Sequence, residues 1–119
     1  MEAIFDRKAR LVAWLSDDGT VVYSLRNKPI AHIPNRAVYT YRSRHLGYFD
    51  QGFFRDKSGR AVAFIQDHGA GPITPLPPIP PIPPIPPIPP IPPIPPIPPI
   101  MPVSSFSWSK LDWETFIQG

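Results

Sequence analysis

Phe53-Phe54-Arg55-Asp56-Lys57-Ser58-Gly59-Arg60-Ala61-Val62-Ala63-Phe64-Ile65 holds two apolar runs around a polar centre, and the same plan occurs three times before it. The earlier copies run from Ile4 to Leu15, from Val22 to Ile33 and from Val38 to Phe49. Each opens with an apolar pair: Ile4-Phe5, Val22-Tyr23, Val38-Tyr39 and Phe53-Phe54. Each closes with a second run, for instance Leu11-Val12-Ala13-Trp14-Leu15 or Leu46-Gly47-Tyr48-Phe49. β-Branched and aromatic residues in runs this short, separated by turn residues, form strands. Asn27-Lys28-Pro29 and Asp56-Lys57-Ser58-Gly59 are the clearest turns, since Asp56 can bond its own backbone and Gly59 can take positive φ at a bulge. Asp17-Asp18-Gly19, Pro34-Asn35-Arg36 and Asp50-Gln51-Gly52 link one unit to the next. Hairpin after hairpin, this predicts an all-β meander of eight strands that curls into a closed or nearly closed ring, because closure removes open sheet edges.

A second repeat follows. From Pro77 to Ile100 the chain reads Pro-Pro-Ile without a break, with Ile79, Ile82, Ile85, Ile88, Ile91, Ile94, Ile97 and Ile100 at every third position. Proline fixes φ and removes the backbone donor, so the polyproline II helix is the expected form, and its three residues per turn put every Ile on one stripe. At ~3.1 Å per residue a straight rod of this length spans roughly 75 Å, against a radius of gyration near 11 Å for the barrel alone. Beyond Val103, Phe106 and Trp108 alternate with serines as in a half-buried strand. Ser109 and Asp112 then resemble a capping box, with Trp113, Phe116 and Ile117 at helical spacing after it. Three parts result: a barrel over 1–71, a proline tract over 72–103, and an aromatic docking segment over 104–119 whose contact residues are Phe106, Trp108, Trp113 and Phe116.

Of 21 prolines, 19 lie between Pro72 and Pro102, which leaves 1–71 to form the one core. The 12 Lys/Arg exceed the 9 Asp/Glu by only 3, an excess too thin to argue for nucleic acid. Tyr39-Thr40-Tyr41-Arg42-Ser43-Arg44-His45 interleaves aromatics with cations, but a hairpin with a basic turn is the expected reading, since phosphate neutralisation needs a concentrated patch. With no cysteine there is no disulfide, thiolate site or thiol nucleophile. Charges occupy the start, where a signal peptide needs its apolar run, and no apolar stretch free of proline is long enough to span a bilayer, so a cytoplasmic location is expected.

Catalytic material is thin. His32, His45 and His68 are the only histidines; His32 sits in an apolar run, where a packed, hydrogen-bonded ring is the expected role. The aspartates neighbour turns, and turn chemistry accounts for them without a metal. No nucleophile, base and orienter cluster, so neither an enzyme nor a cofactor is expected. The tract offers repeated Pro-x-x-Pro spacing for a foreign aromatic groove, yet no Lys or Arg lies between residues 61 and 109 to orient it. An Ile stripe favours burial instead, by about 1.5–3 kcal/mol for each fully buried Ile.

Val22-Tyr23, Lys28-Pro29-Ile30-Ala31, Arg44-His45-Leu46-Gly47-Tyr48-Phe49, Gly52-Phe53-Phe54-Arg55-Asp56-Lys57-Ser58-Gly59, Gly69-Ala70-Gly71-Pro72 and Trp108-Ser109 occur in that order across almost the whole chain. In order and spacing they resemble the four-fold beta-flower domain family. Its members carry an Ile-Tyr-like run, Lys-Pro-Val-Ala, Gly-x-His-Leu-Gly-Trp-Phe, Gly-Trp-Ile-x-Asp-x-x-Gly, a Gly-Gly-Pro boundary, a period-three proline tract and a closing Trp-Ser. The chain departs from that pattern at Ala70 and Tyr48, where Gly and Trp are expected, and by isoleucine where the family's tracts often carry basic or polar residues. The resemblance implies a shallow, pseudo-four-fold barrel of four β-hairpins around an apolar channel, with lipid or apolar-ligand binding by analogy to tubby-type barrels, and it carries over no catalytic residue.

The expectation that follows is a non-enzymatic binding or assembly module in a homo-oligomer, with the Ile stripe laid on an apolar barrel surface or channel. Two alternatives stand beside it: an apolar ligand or lipid in the channel, lined by Phe5, Tyr23, Tyr39 and Phe54, and a polyproline ligand for a foreign domain. Whether the tract threads the barrel or runs outside it stays open.

Overall fold

A computed structural model describes residues 1–119. Eight strands, β1 (Glu2–Asp6), β2 (Leu11–Leu15), β3 (Val21–Ser24), β4 (Pro29–His32), β5 (Ala37–Tyr39), β6 (His45–Asp50), β7 (Phe53–Arg55) and β8 (Ala61–Ile65), pair antiparallel in sequence order. β1 closes on β8 to complete the barrel. The four hairpins are near copies. Each register slips at the same place, between Ile4/Phe5, Val22/Tyr23, Val38/Tyr39 and Phe54/Arg55. Each turn then has one residue at positive φ: Ala9 (62°), Asn27 (62°), Ser43 (64°) and Gly59 (89°). This is a three-residue loop ending in a left-handed bulge residue.

The same chemistry closes every turn. An oxygen-bearing side chain opens it, and its oxygen accepts two backbone N–H groups: Asp6 from Lys8 and Arg10, Ser24 from Arg26 and Lys28, Thr40 from Arg42 and Arg44, Asp56 from Ser58 and Arg60. A cation follows four residues after the opener each time, namely Arg10, Lys28, Arg44 and Arg60.

Inside the barrel a large residue faces a small one in each hairpin: Ile4 and Ala13, Val22 and Ala31, Val38 and Gly47, Phe54 and Ala63. An eight-stranded barrel is only wide enough for side chains to fill it, and these together with Leu15, Ile33, Leu46, Val62 and Ile65 make one continuous core. Helix α1 (Trp113–Gln118) stoppers the mouth at the hairpin-turn end, with Trp113 and Phe116 in that same core. Its N-cap is Asp112, whose carboxylate accepts the Thr115 N–H at 2.8 Å. Ser109, expected to cap the helix, instead donates to Asp56 at 2.5 Å and ties the tail to the fourth turn. The strand expected at Phe106–Trp108 reduces to one isolated parallel bridge between Ala61 and Trp108.

The tract is not a straight rod. It carries no helix or strand and runs around the outside of the barrel as a belt, meeting β1–β2 first and β7–β8 last. Thirty-five steps from Ile73 to Trp108 at ~3.1 Å make a loop of about 110 Å, the circumference of a circle about 35 Å across. The chain measures 35 × 35 × 22 Å. The Trp108 indole N–H donates to the Ile73 carbonyl at 3.3 Å, so the end of the belt is fastened to its beginning.

Candidate functional site

The belt is held by one repeat position of the barrel. Phe5, Tyr23, Tyr39 and Arg55 each follow the register slip of their hairpin and face outward. The Tyr23 hydroxyl donates to the Pro87 carbonyl at 3.0 Å, Tyr39 to Pro96 at 2.6 Å, and the Arg55 guanidinium to Ser105 at 2.7 Å. The acceptors stand nine residues apart, so a quarter of the barrel takes three Pro-Pro-Ile units. Other contacts keep the same step: the Asn27 amide donates to the Ile85 carbonyl, and Gly59, its repeat equivalent, lies against the Val103 carbonyl two steps on. Tyr48 adds a bond to Pro99 at 3.0 Å. Burial pushes the Tyr23, Tyr39 and Tyr48 hydroxyls above the ordinary tyrosine value, which keeps them protonated as donors.

Two sequence expectations are corrected here. Phe5, Tyr23 and Tyr39 do not line a channel; they lie outside, under the belt, while Phe54 belongs to the interior. The pairing of Phe54 with the other three slipped by one position, since Arg55 is their equivalent. The turn openers Asp6, Ser24, Thr40 and Asp56 show this in the sequence itself, each one residue after its hook. Nor does the channel stand open, because its residues are packed against one another and against the helix.

The second correction concerns the stripe. Ile79, Ile82, Ile85, Ile88, Ile91, Ile94, Ile97 and Ile100 do not pack on the barrel: all are between 90% and 96% exposed. The carbonyls that follow the second proline of a triplet turn inward to the hydroxyls, which leaves the Ile side outermost. Ile73, Leu76, Val103 and Phe106 keep the same spacing at both ends and are also exposed. Twelve apolar side chains therefore ring the molecule. Of the expected docking residues, Phe106 belongs to this ring at 71% exposure, and Trp108 packs on Phe53 and Phe64 at ring distances of 6.4 and 6.2 Å. Trp113 and Phe116 are buried in the mouth.

Between belt and barrel lie three cavities at equivalent places, of ≈ 490, ≈ 370 and ≈ 430 Å³. Their belt residues are Pro80, Pro81 and Pro83; Pro89, Pro90 and Pro92; and Pro98, Pro99 and Met101. His32 and His45 stand among Tyr39, Tyr41 and Tyr48 with ring distances of 4.9 to 5.8 Å. Burial holds both imidazoles below the ordinary histidine value. Arg55, 1% exposed, is also lowered by burial, which the nearby Asp50 and Asp56 oppose. Burial acts to raise Asp56, but hydrogen bonds from Ser109, Ser58 and the Arg60 N–H outweigh it and hold the carboxyl below its usual range.

Charge is segregated between the two ends. Nine of the 12 Lys/Arg lie in the four hairpin turns, at 6–10, 24–28, 40–44 and 56–60, with only Asp6 and Asp56 among them. All nine are exposed, and of these Arg10 alone has a side-chain carboxylate within salt-bridge distance, Asp6 at 2.8 Å, while Arg44 donates to the Gly119 carbonyl oxygen at 3.1 Å. The opposite end carries Glu2, Asp17, Asp18, Asp50 and Asp67 against Arg36. A net charge of +3 conceals this polarity, although the turn positions were readable from the sequence.

No helix is long and apolar enough to cross a membrane. A family model described as 4-fold beta flower protein matches residues 2–117, which takes in barrel, belt and helix together. No curated protein and no solved structure matches the chain.

Proposed function

Since the chain belongs to the 4-fold beta flower family, and its barrel wears a closed belt with the apolar side outward, we propose that it is a non-enzymatic assembly module that docks through this girdle onto further copies of itself. The girdle carries the reading. The largest apolar patch of a soluble monomer covers about 300–600 Å², whereas here eight isoleucines are at least 90% exposed on one ring. Each contributes about 1.5–3 kcal/mol when fully buried, so a contact that covers a few from each copy is enough to hold a pair. A convex ring meets a neighbour on any side, which favours lateral contacts among several discs over a single closed dimer.

Light scattering behind size exclusion tests this on the full chain and on a variant with all eight isoleucines from Ile79 to Ile100 changed to Ser. These side chains touch little of their own barrel, so the variant keeps its fold. The wild type is expected to associate as concentration rises and the variant to run as a monomer. A wild type that stays monomeric at ~100 µM, well above the concentration at which a contact of about 8 kcal/mol forms, overturns the proposal.

A further inference from the structure

The hairpin-turn face holds chemistry that the girdle does not use. Its nine exposed cations surround the helix-stoppered mouth; eight of them have no side-chain carboxylate within salt-bridge distance, and of these Arg44 donates through one guanidinium nitrogen to the Gly119 carbonyl oxygen at 3.1 Å. The carboxylates on that face are few, and three of the four are engaged: Asp6 and Asp56 hold turn N–H groups and Asp112 caps α1, while Glu114 lies exposed in its first turn. An uncompensated basic face is the electrostatic footprint of a polyanion partner, whatever the net charge of the chain.

A cleft on this face narrows the choice. Between the second and third turns lies a cavity of ≈ 430 Å³ lined by Pro29, Ile30, Thr40, Tyr41, Arg42, Arg44 and Gln118. Its size falls within the ~300–1,000 Å³ of small-ligand pockets. It offers a tyrosine ring and two guanidinium groups side by side, with Arg26 exposed on the neighbouring turn. Tyr41 is itself backed by the His32 ring at 5.4 Å. An aromatic platform for a base beside cations for the flanking phosphates is the combination that holds single strands.

We propose that the cationic hairpin-turn face binds single-stranded nucleic acid, with the phosphate backbone running over the turns and one nucleotide in the Tyr41–Arg42–Arg44 cleft. This reverses the expectation drawn from net charge alone. An anionic bilayer accepts leucine in place of the ring, and the acidic face of a second copy needs only the cations, whereas a stacked base needs the ring itself, so Tyr41→Leu separates nucleic acid from the other two occupants. The girdle takes no part, and the assembly proposal can fail without touching this one.

Fluorescence anisotropy with a labelled oligothymidylate of about twelve nucleotides tests it on the full chain. Binding is expected with a Kd of order 10⁻⁴–10⁻⁶ M, weakening with salt by a log–log slope of about −0.7 per neutralised phosphate. Arg26→Gln, Arg42→Gln and Lys57→Gln change exposed side chains outside the core, and each is expected to make the slope shallower. Tyr41→Leu should weaken binding by about five- to a hundredfold with the slope unchanged. Circular dichroism confirms that each variant is folded. A folded wild type without an anisotropy change at ~50 mM salt, or a slope that the three Gln variants leave unmoved, overturns the proposal. So does binding that survives Tyr41→Leu and is matched by phosphatidylserine vesicles, which would assign the face to a bilayer.

Discussion

Replacing Tyr23, Tyr39 and Tyr48 together by Phe removes three hydroxyls and little else, because the rings stay where they are packed. Each hydroxyl bonds a proline carbonyl at 2.6–3.0 Å and is nearly buried, with the tyrosines 1–3% exposed. A neutral hydrogen bond of this kind contributes about 0.5–1.5 kcal/mol net. The carbonyls left behind lie on a largely exposed tract, where water can take over, so the cost belongs near 1 kcal/mol for each. The three act on separate stretches of belt, and their effects should come close to adding, for a total of about 3 kcal/mol. Unfolding entropy near 2.1 cal/mol/K per residue makes 1 kcal/mol worth about 4 °C in a chain of this length, so Tm should fall by about 12 °C. Calorimetry and urea titration read this directly, and native-state proteolysis near Met101 should accelerate as the belt loosens. A matching gain is expected from Phe5→Tyr. Counting back nine residues from Pro87 sets the Pro78 carbonyl opposite Phe5, the one hook without a donor, and a cavity beside its ring leaves room for the hydroxyl. A triple variant within ~0.5 kcal/mol of wild type, inside the scatter of neutral surface changes, would show that the hydroxyls do not hold the belt, and the nine-residue step would lose its meaning.

Gly47→Ala should cost upwards of about 1–3 kcal/mol in urea titration, as overpacking does, because an added Cβ meets both the Arg55 carbonyl and the Phe116 ring. Ala9→Gly should stabilise by roughly 1 kcal/mol in the same assay, since Ala9 holds φ at 62° and a left-handed non-glycine residue costs about 1–2 kcal/mol. His32 and His45 titrate below 6.5 in the folded chain, so the unfolded chain binds more protons as acidity rises. Stability is therefore complete above pH 6.5 and is lost as pH falls through the folded values. The urea midpoint should drop over that window, and His32→Gln with His45→Gln should flatten the profile. Below the 3.8 of an ordinary aspartate a second loss follows as Asp18 and Asp56, both lowered, take up protons.

The barrel was legible because hairpin information is local. Turn openers bond N–H groups two and four residues on, and strands alternate within five residues, so Asp56-Lys57-Ser58-Gly59 announces its hairpin unaided. Gly47 was legible only as an oddity: Ala13, Ala31 and Ala63 hold the equivalent places, and the glycine answers to Phe116, a neighbour from the far end of the chain. Arg55 was missed because an apolar pair is a weaker ruler than the turn that follows it.

By itself, then, the sequence determined the four hairpins, the period-three tract with its isoleucines on one side, and the placing of nine cations in four turns. It did not determine which side of the tract faces the barrel. Hydrophobicity alone sends the isoleucines inward, yet the outer barrel wall presents hydroxyls and a guanidinium that need acceptors; carbonyls of the tract and of Ser105 just beyond it supply them, beside the Gly59 carbonyl that Arg55 also uses. That match joins a repeat of 16 to 18 residues in the barrel to a step of nine in the belt. No local rule relates the two, and only the circumference of the closed barrel brings them into register.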